Sequence, residues 1–389
     1  MKGLIIAGSN RQKAAIALSL IAWLKKMGYR VMPFKITVDY AHPSHHSLLA
    51  KTAAENLDIY TMGREGVRYI YSRKKEEFDF AVVEGGDIAA SNEVAEVLNL
   101  PVIAVVECNE IIQVTTGKTL LGRIPYLPEV EVKRKQIAAG FEDLNLEVER
   151  LLEIARYLDI EGIIKLATEC EFEVKRTQNE VEDKPVIGVA RDQAFCFYYP
   201  YNLEELMRRA QIIYFSPLND ELPMVNGLLI GGGYPELYAE QLSRNKQLLR
   251  EIKKAAEDGM PIYGECGGLI YLSRGIEIKG KRYMMASAVP VDIKMQEKIA
   301  GYVELKAIEN CIIAEKGDIL RGHEYHFSRA YVDSDVKFAF EVKRGEGIAE
   351  RKDGVVVQNT LAQYTHIHGV AHPKFFERFC QASAQYARR

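Results

Sequence analysis

No CxxC pair occurs in this sequence, and its six cysteines, at positions 108, 170, 196, 266, 311 and 380, are too scattered to suggest a zinc ribbon or a disulfide framework. A reducing, cytoplasmic setting fits that spacing. No polybasic arm is present either, and 51 basic against 54 acidic residues leave a near-neutral balance. That argues against nucleic acid or a membrane surface as the main partner. No stretch approaches the roughly 18 consecutive apolar residues of a membrane span. The opening Met1-Lys2-Gly3-Leu4-Ile5-Ile6-Ala7-Gly8 reads as a short strand rather than a secretory segment. Internal repeats and low-complexity tracts are also lacking. What remains is an ordinary globular composition in 389 residues, enough for two or three domains with separate cores.

One short run carries chemistry. Tyr263-Gly264-Glu265-Cys266-Gly267-Gly268 follows the strand-like Met260-Pro261-Ile262 and opens into the helix-like Leu269-Ile270-Tyr271-Leu272. A strand-to-helix turn holds a side chain out at the sheet edge, the glycines permit close approach, and the helix N-terminus favours thiolate over thiol. Cys266 is therefore a nucleophile candidate, with the amide of Gly267 as an oxyanion donor. Downstream, Leu361 to Gly369 reads as an alternating strand with His366 and His368 on one face, either of which could be the base. Upstream, the apolar Leu228-Leu229-Ile230 ends in Gly231-Gly232-Gly233, whose amides could complete an anion hole.

Strand and helix signals alternate through both halves, which predicts an α/β protein with mostly parallel sheets. Strands are predicted over Gly3 to Ala7, Tyr29 to Lys35, Phe78 to Val83 and Pro101 to Glu107, with a helix from Lys13 to Met27. A single amphipathic helix is predicted from Leu146 to Lys165, capped by Asn145. The charged stretch Glu169 to Lys184 has no apolar period and reads as a boundary. The expected domains are 1–168, a linker at 169–185, and 186–389. In the last, strands are predicted over Val186 to Ala190, Ile212 to Phe215, Gly227 to Ile230 and Met260 to Tyr263, and helices over Asn202 to Ala210 and Pro235 to Asp258. From Tyr302 the chain turns β-rich until a closing helix over Pro373 to Arg388.

Together these segments resemble the cobyrinate a,c-diamide synthase family of glutamine amidotransferases, which includes the nickel-sirohydrochlorin a,c-diamide synthases. Five ordered stretches carry the resemblance: Val186 to Pro200, Phe215-Ser216-Pro217-Leu218-Asn219-Asp220, Gly231 to Glu236, the Cys266 turn, and Gly322-His323-Glu324-Tyr325-His326-Phe327-Ser328-Arg329. The resemblance implies a P-loop-like parallel-sheet domain followed by a class I glutamine amidotransferase-like α/β domain. It implies that Cys266 releases ammonia from glutamine, and that the first domain uses ATP and magnesium to activate carboxylates of a corrin-type or related tetrapyrrole. It places the base at His366, with His368 second, while the residues themselves point to oxyanion and glutamine contacts at Gly232, Gly233 and Gly267. The class often adds a glutamate two residues after the histidine, but His368 stands there, so a Cys/His dyad is expected. His323 and His326 read equally as structural or as lying near the ammonia path. A homodimer is allowed.

The amino half departs from the family. A P-loop needs glycines around phosphate, a lysine, and a hydroxyl on magnesium. The matching Gly8-Ser9-Asn10-Arg11-Gln12-Lys13-Ala14-Ala15 keeps one glycine and Lys13, with alanine in place of the hydroxyl. That counts against tight nucleotide binding. Asp39 and Glu84 align with family magnesium-site acids, and His42 replaces another. No metal beyond magnesium is expected, because His42, His45 and His46 lack further ligands for zinc. Thr116-Gly117-Lys118-Thr119 ends like a P-loop, but Ile112 replaces its first glycine, so a turn is expected. From Glu107 the chain passes quickly to Leu121 to Pro128, as though a portion of the synthetase domain were missing. A second reading stays open: a divergent paralogue with lost or altered ATP use, serving as a binding or regulatory module or as a glutaminase for another acceptor.

Overall fold

Runs of Val, Ile and Ala without polar interruption form strands buried on both faces, the signature of a parallel sheet covered by helices. The computed structural model describes residues 1–8, 12–38, 41–108, 111–117, 119–125, 144–172 and 184–389. The chain divides into two units, Met1–Thr177 and Gln178–Arg389. In the first, β1 (Lys2–Ala7), β2 (Val31–Ile36), β3 (Glu55–Leu57), β4 (Phe80–Glu84) and β5 (Val102–Cys108) run parallel in the order β3-β2-β4-β1-β5. The hairpin β6 (Ile111–Thr116) and β7 (Thr119–Pro125) extends this sheet antiparallel from β5, turning through Gly117. A short β8 (Thr168–Glu169) pairs antiparallel with the start of β1.

The first helix runs Gln12–Lys26 and is buried on every face from Ala15 to Ala22, so it belongs to the core rather than to a surface stripe. The one helix expected from Leu146 to Lys165 is two, Leu144–Ala155 and Ile160–Leu166. Asp159 causes the break, since its carboxylate accepts from the Gly162 amide at 2.9 Å and begins a second helix. Asn145 thus lies inside a helix instead of capping one.

The second unit holds β9 (Val186–Ala190), β10 (Gln211–Phe215), β11 (Gly227–Ile230), β12 (Ile262–Glu265), β13 (Gly275–Ile278), β14 (Lys281–Met284), β15 (Val291–Ala307), β16 (Ile319–Val332), β17 (Lys337–Arg344), β18 (Lys352–Val357), β19 (Thr360–Gln363) and β20 (His366–Ile367). The order β10-β9-β11-β12-β19 is parallel and continues into β18, β17, β15, β13 and β14, while β16 pairs with β15 and β20. The helix expected over Pro235 to Asp258 is interrupted at Asn245, whose side chain accepts from the Leu248 amide at 3.4 Å and donates to the Asp220 carbonyl at 2.9 Å. β structure resumes at Gly275, earlier than expected. No helix among the described residues is long and apolar enough to cross a membrane.

Candidate active site

β12 ends at Glu265, and the next residue, Cys266, takes φ 53° and ψ −93° before the helix Gly267–Leu272 begins. A left-handed φ is unusual for a residue with a Cβ and marks a turn held in place by its surroundings. The surroundings are tight: a Cβ on Gly268 would stand 2.0 Å from the Ile230 carbonyl oxygen, and one on Gly264 2.5 Å from Leu272 Cδ1. The Cys266 amide donates to the Gln363 carbonyl at 2.7 Å, which ties the turn to the end of β19.

His366 meets this turn. Its Nδ1 lies 2.8 Å from Glu265 Oε1, and because an ionised carboxylate only accepts, Nδ1 carries the proton and the other ring nitrogen is left for sulfur. Burial pushes the imidazole down, but the hydrogen-bonded Cys266 sulfur and the Glu265 carboxylate outweigh it and hold the ring up at about 10. Glu265 is itself fixed: Oε2 accepts from the Tyr263 hydroxyl at 2.8 Å and from the Ile367 amide at 3.3 Å. The expectation of a dyad is thereby corrected. A carboxylate does orient the histidine, and it comes from the residue preceding the cysteine.

His368 is not brought to the sulfur. After β19 the chain bends at Tyr364-Thr365, and the strand that follows holds only His366 and Ile367, so His368 lies beyond it and caps the 3₁₀ turn Gly369–Ala371 instead of continuing the predicted alternation. Nδ1 of His368 accepts from the Val370 amide at 3.3 Å, and its ring lies between Tyr199 and Tyr201. The bend is pinned by Asp353, a fully buried carboxylate accepting from the Gly354, Tyr364 and Thr365 amides and, at 2.6 Å, from the Thr365 hydroxyl. Burial pushes the Asp353 carboxyl up, partly offset by these bonds. Replacing it by Ala leaves three amides and a hydroxyl without their acceptor. A loss of about 2–4 kcal/mol in urea-unfolding free energy is expected for Asp353→Ala.

The glycines converge here too. A Cβ on Gly232 would stand 2.6 Å from His366 Cε1, and one on Gly267 3.1 Å from the Gly233 amide nitrogen. Gly232→Ala therefore displaces the imidazole without touching the sulfur. A loss of about 10–100-fold in glutamine hydrolysis, at near-unchanged unfolding midpoint, is expected for it. His323 stacks on His366 with centroids 4.8 Å apart, and burial followed by the neighbouring imidazole holds it well below the usual histidine range. His326 stacks on Tyr364 at 3.7 Å and borders a cavity beside Cys266. That cavity is about 20 Å³, room for roughly one water. A larger one, about 380 Å³, lies at the opposite end of β19 beside Thr360 and Arg378, away from the sulfur.

Residues 186–374 match the family of CobB/CobQ-like glutamine amidotransferase domains. Over the longer span, the chain is similar to the cobyrinate a,c-diamide synthase of Methanosarcina acetivorans, at 32% identity covering 97% of this chain and 94% of that protein. The same enzyme of Haloarcula marismortui is 33% identical, covering 95% and 96%. The chain belongs to the cobyrinate a,c-diamide synthase family. The alignment with the Methanosarcina acetivorans synthase runs over 467 positions against 389 residues here, so that relative carries dozens of residues without a counterpart.

For the synthase family's ATP and magnesium, the described residues of the first unit do not fit, residues 9–11 of the phosphate loop lying outside them. Lys13 does not project freely from the start of its helix but donates to the carbonyls of Gly8 at 2.8 Å and Gly86 at 2.7 Å. Glu84, fully buried, places Oε1 2.5 Å from Lys35 Nζ and Oε2 3.0 Å from His46 Nε2. Oε1 is thus already engaged by an ammonium. Ala14 supplies no hydroxyl. Asp39 and the side chain of His42 lie outside the described residues, and among those described no group of three His, Cys, Asp or Glu is placed to hold a metal ion.

Proposed function

We propose that this protein hydrolyses glutamine through Cys266, His366 and Glu265 and supplies the ammonia for amidation of carboxylates on a corrin-type macrocycle. The observation that carries the chemistry is the hydrogen-bonded chain of sulfur, imidazole and carboxylate at a strained strand-to-helix turn. The macrocycle is supported by similarity to the named synthases along nearly the whole chain.

In this reading the Cys266 thiolate attacks the side-chain amide carbon of glutamine, forming a C–S bond and a tetrahedral oxyanion. The amides of Gly267 and Gly233 are the donors for that charge, and Gly232 keeps the space beside the ring clear. Protonated His366 gives its proton to the amide nitrogen as the C–N bond breaks and ammonia departs. The neutral ring then takes a proton from water, whose oxygen adds to the thioester. Glutamate leaves and the thiolate–imidazolium pair is restored. Glu265 acts as a positioning residue, fixing the ring's tautomer and orientation. His368 has no part in these steps.

The test is direct. Purified protein is given ¹⁵N-amide-labelled glutamine, and ammonia and glutamate are followed by NMR. Cobyrinic acid with MgATP is then added, and in a parallel sample the preformed acyl phosphate, and mass spectrometry looks for ¹⁵N entering the corrin as amide while phosphate leaves. Glutamate formation with no label in any corrin carboxylate, even when activated acceptor is supplied, would favour an ammonia source for a different acceptor.

A further inference from the structure

In open α/β sheets ligands bind at the carboxyl edge of the strands. At that edge of the first unit, four polar side chains from four separate elements close on one another. Lys13 comes from the first turn of the helix Gln12–Lys26, Lys35 from the end of β2, His46 from the helix Ala41–Ala50 and Glu84 from the end of β4. Lys35, His46 and Glu84 are all buried, at 4%, 1% and 0% exposure, so this is an interior cluster and not a chance surface pairing.

A carboxylate that holds magnesium must present a lone pair to the ion at about 2.0–2.1 Å, and the ion keeps several waters. Glu84 presents Oε1 instead to the Lys35 ammonium, which also reaches the Gly85 carbonyl at 3.3 Å, while Oε2 lies 3.0 Å from His46 Nε2 without hydrogen-bonding to it. A divalent ion on Oε1 would have to displace that ammonium within a buried cluster. Lys13, which would have to reach phosphate oxygens, has two of its three N–H groups on backbone carbonyls. These engagements are made by residues present in the chain, and they accompany the missing glycines and hydroxyl of the phosphate loop.

We infer that the Lys35 ammonium serves as an internal cation where the family's synthetase domain would hold magnesium, and that this chain amidates a carboxylate already activated elsewhere as an acyl phosphate. This rests on the proposed function for the ammonia it supplies. The atoms balance without nucleotide: ammonia's lone pair forms the C–N bond at the acyl carbon, the C–O bond to phosphate breaks, and inorganic phosphate leaves as the new amide loses a proton. The reaction that must precede this one is an ATP-consuming phosphorylation of a carboxylate by a separate protein.

The experiment uses the full-length chain, with slow hydrogen exchange of the β4 amides certifying a folded first unit and the glutaminase rate measured on the same preparation. MgATP is titrated by calorimetry and Mn²⁺ by electron paramagnetic resonance. No saturable binding of either up to about 1 mM is expected, and no ADP should form when glutamine, MgATP and cobyrinic acid are combined. One-to-one MgATP binding in the micromolar range, abolished by Lys13→Ala, or ADP formed in step with amide, would overturn the inference. A missing glutaminase rate would instead strike the proposed function, leaving the nucleotide result to be read by itself.

Discussion

Cys266→Ala should lower ammonia release from glutamine by at least about 10⁴-fold, because no other group can form the thioester that divides one difficult substitution into two easier ones. The substitution is close to neutral for the fold. Alanine meets the same left-handed φ of 53° with a smaller side chain, and the backbone N–H still donates its hydrogen bond to the Gln363 carbonyl. Melting curves should therefore nearly superimpose while activity disappears, and glutamine should still bind. If the variant kept more than about a tenth of the rate, the sulfur would not be the nucleophile and the elbow would be structural only.

Glu265→Gln is the second large effect, with a loss of about 10³-fold in kcat expected, since an amide can receive His366 in the wrong tautomer. Its pH profile separates positioning from mere support. Burial lowers the His366 pKa, while Cys266 and then Glu265 raise it, to a result of about 10. The rate should fall as pH rises through that value, because the imidazolium that protonates departing ammonia is lost. Removing the negative charge of Glu265 removes one of the raising influences, so the alkaline limb should move to lower pH. Glu265→Asp should recover part of the rate, as a shorter carboxylate still holds Nδ1. A limb that stays in place in the Gln variant would mean that Glu265 only packs against Tyr263.

The nucleophile is legible in the sequence because its signal is local: an apolar strand, a glycine-flanked cysteine and an apolar helix within a dozen residues. Glu265 stands in that same run, yet its partner His366 is 101 positions away. Only the parallel register of β12 with β19, which sets Glu265 beside Gln363, brings the two together. Alternation misleads at His368 because a side-chain period of two holds only while the strand lasts, and the strand carrying His366 ends at Ile367, where His368 opens a 3₁₀ turn. In the first unit the apolar runs announce the parallel strands, but the antiparallel β6–β7 hairpin has no such mark beyond the turn at Gly117. The Lys35–Glu84 pair is hidden for the same reason as the triad: the two residues are 49 apart and neighbours only because β2 and β4 pair in register, Lys35 opposite Glu84. A charged residue within an apolar strand is the one hint available.

Cys266 is only 5% exposed, and its sulfur sits beside the Tyr325 carbonyl oxygen, at 3.6 Å, with side chains of β15 and β16 around it. Peroxide and bulky alkylating agents can meet it only in the moments when those side chains part. Oxidative damage in the resting protein should then scale with the fraction of time the covering strands stand open as well as with reagent concentration, and an unused enzyme should outlast a working one in air.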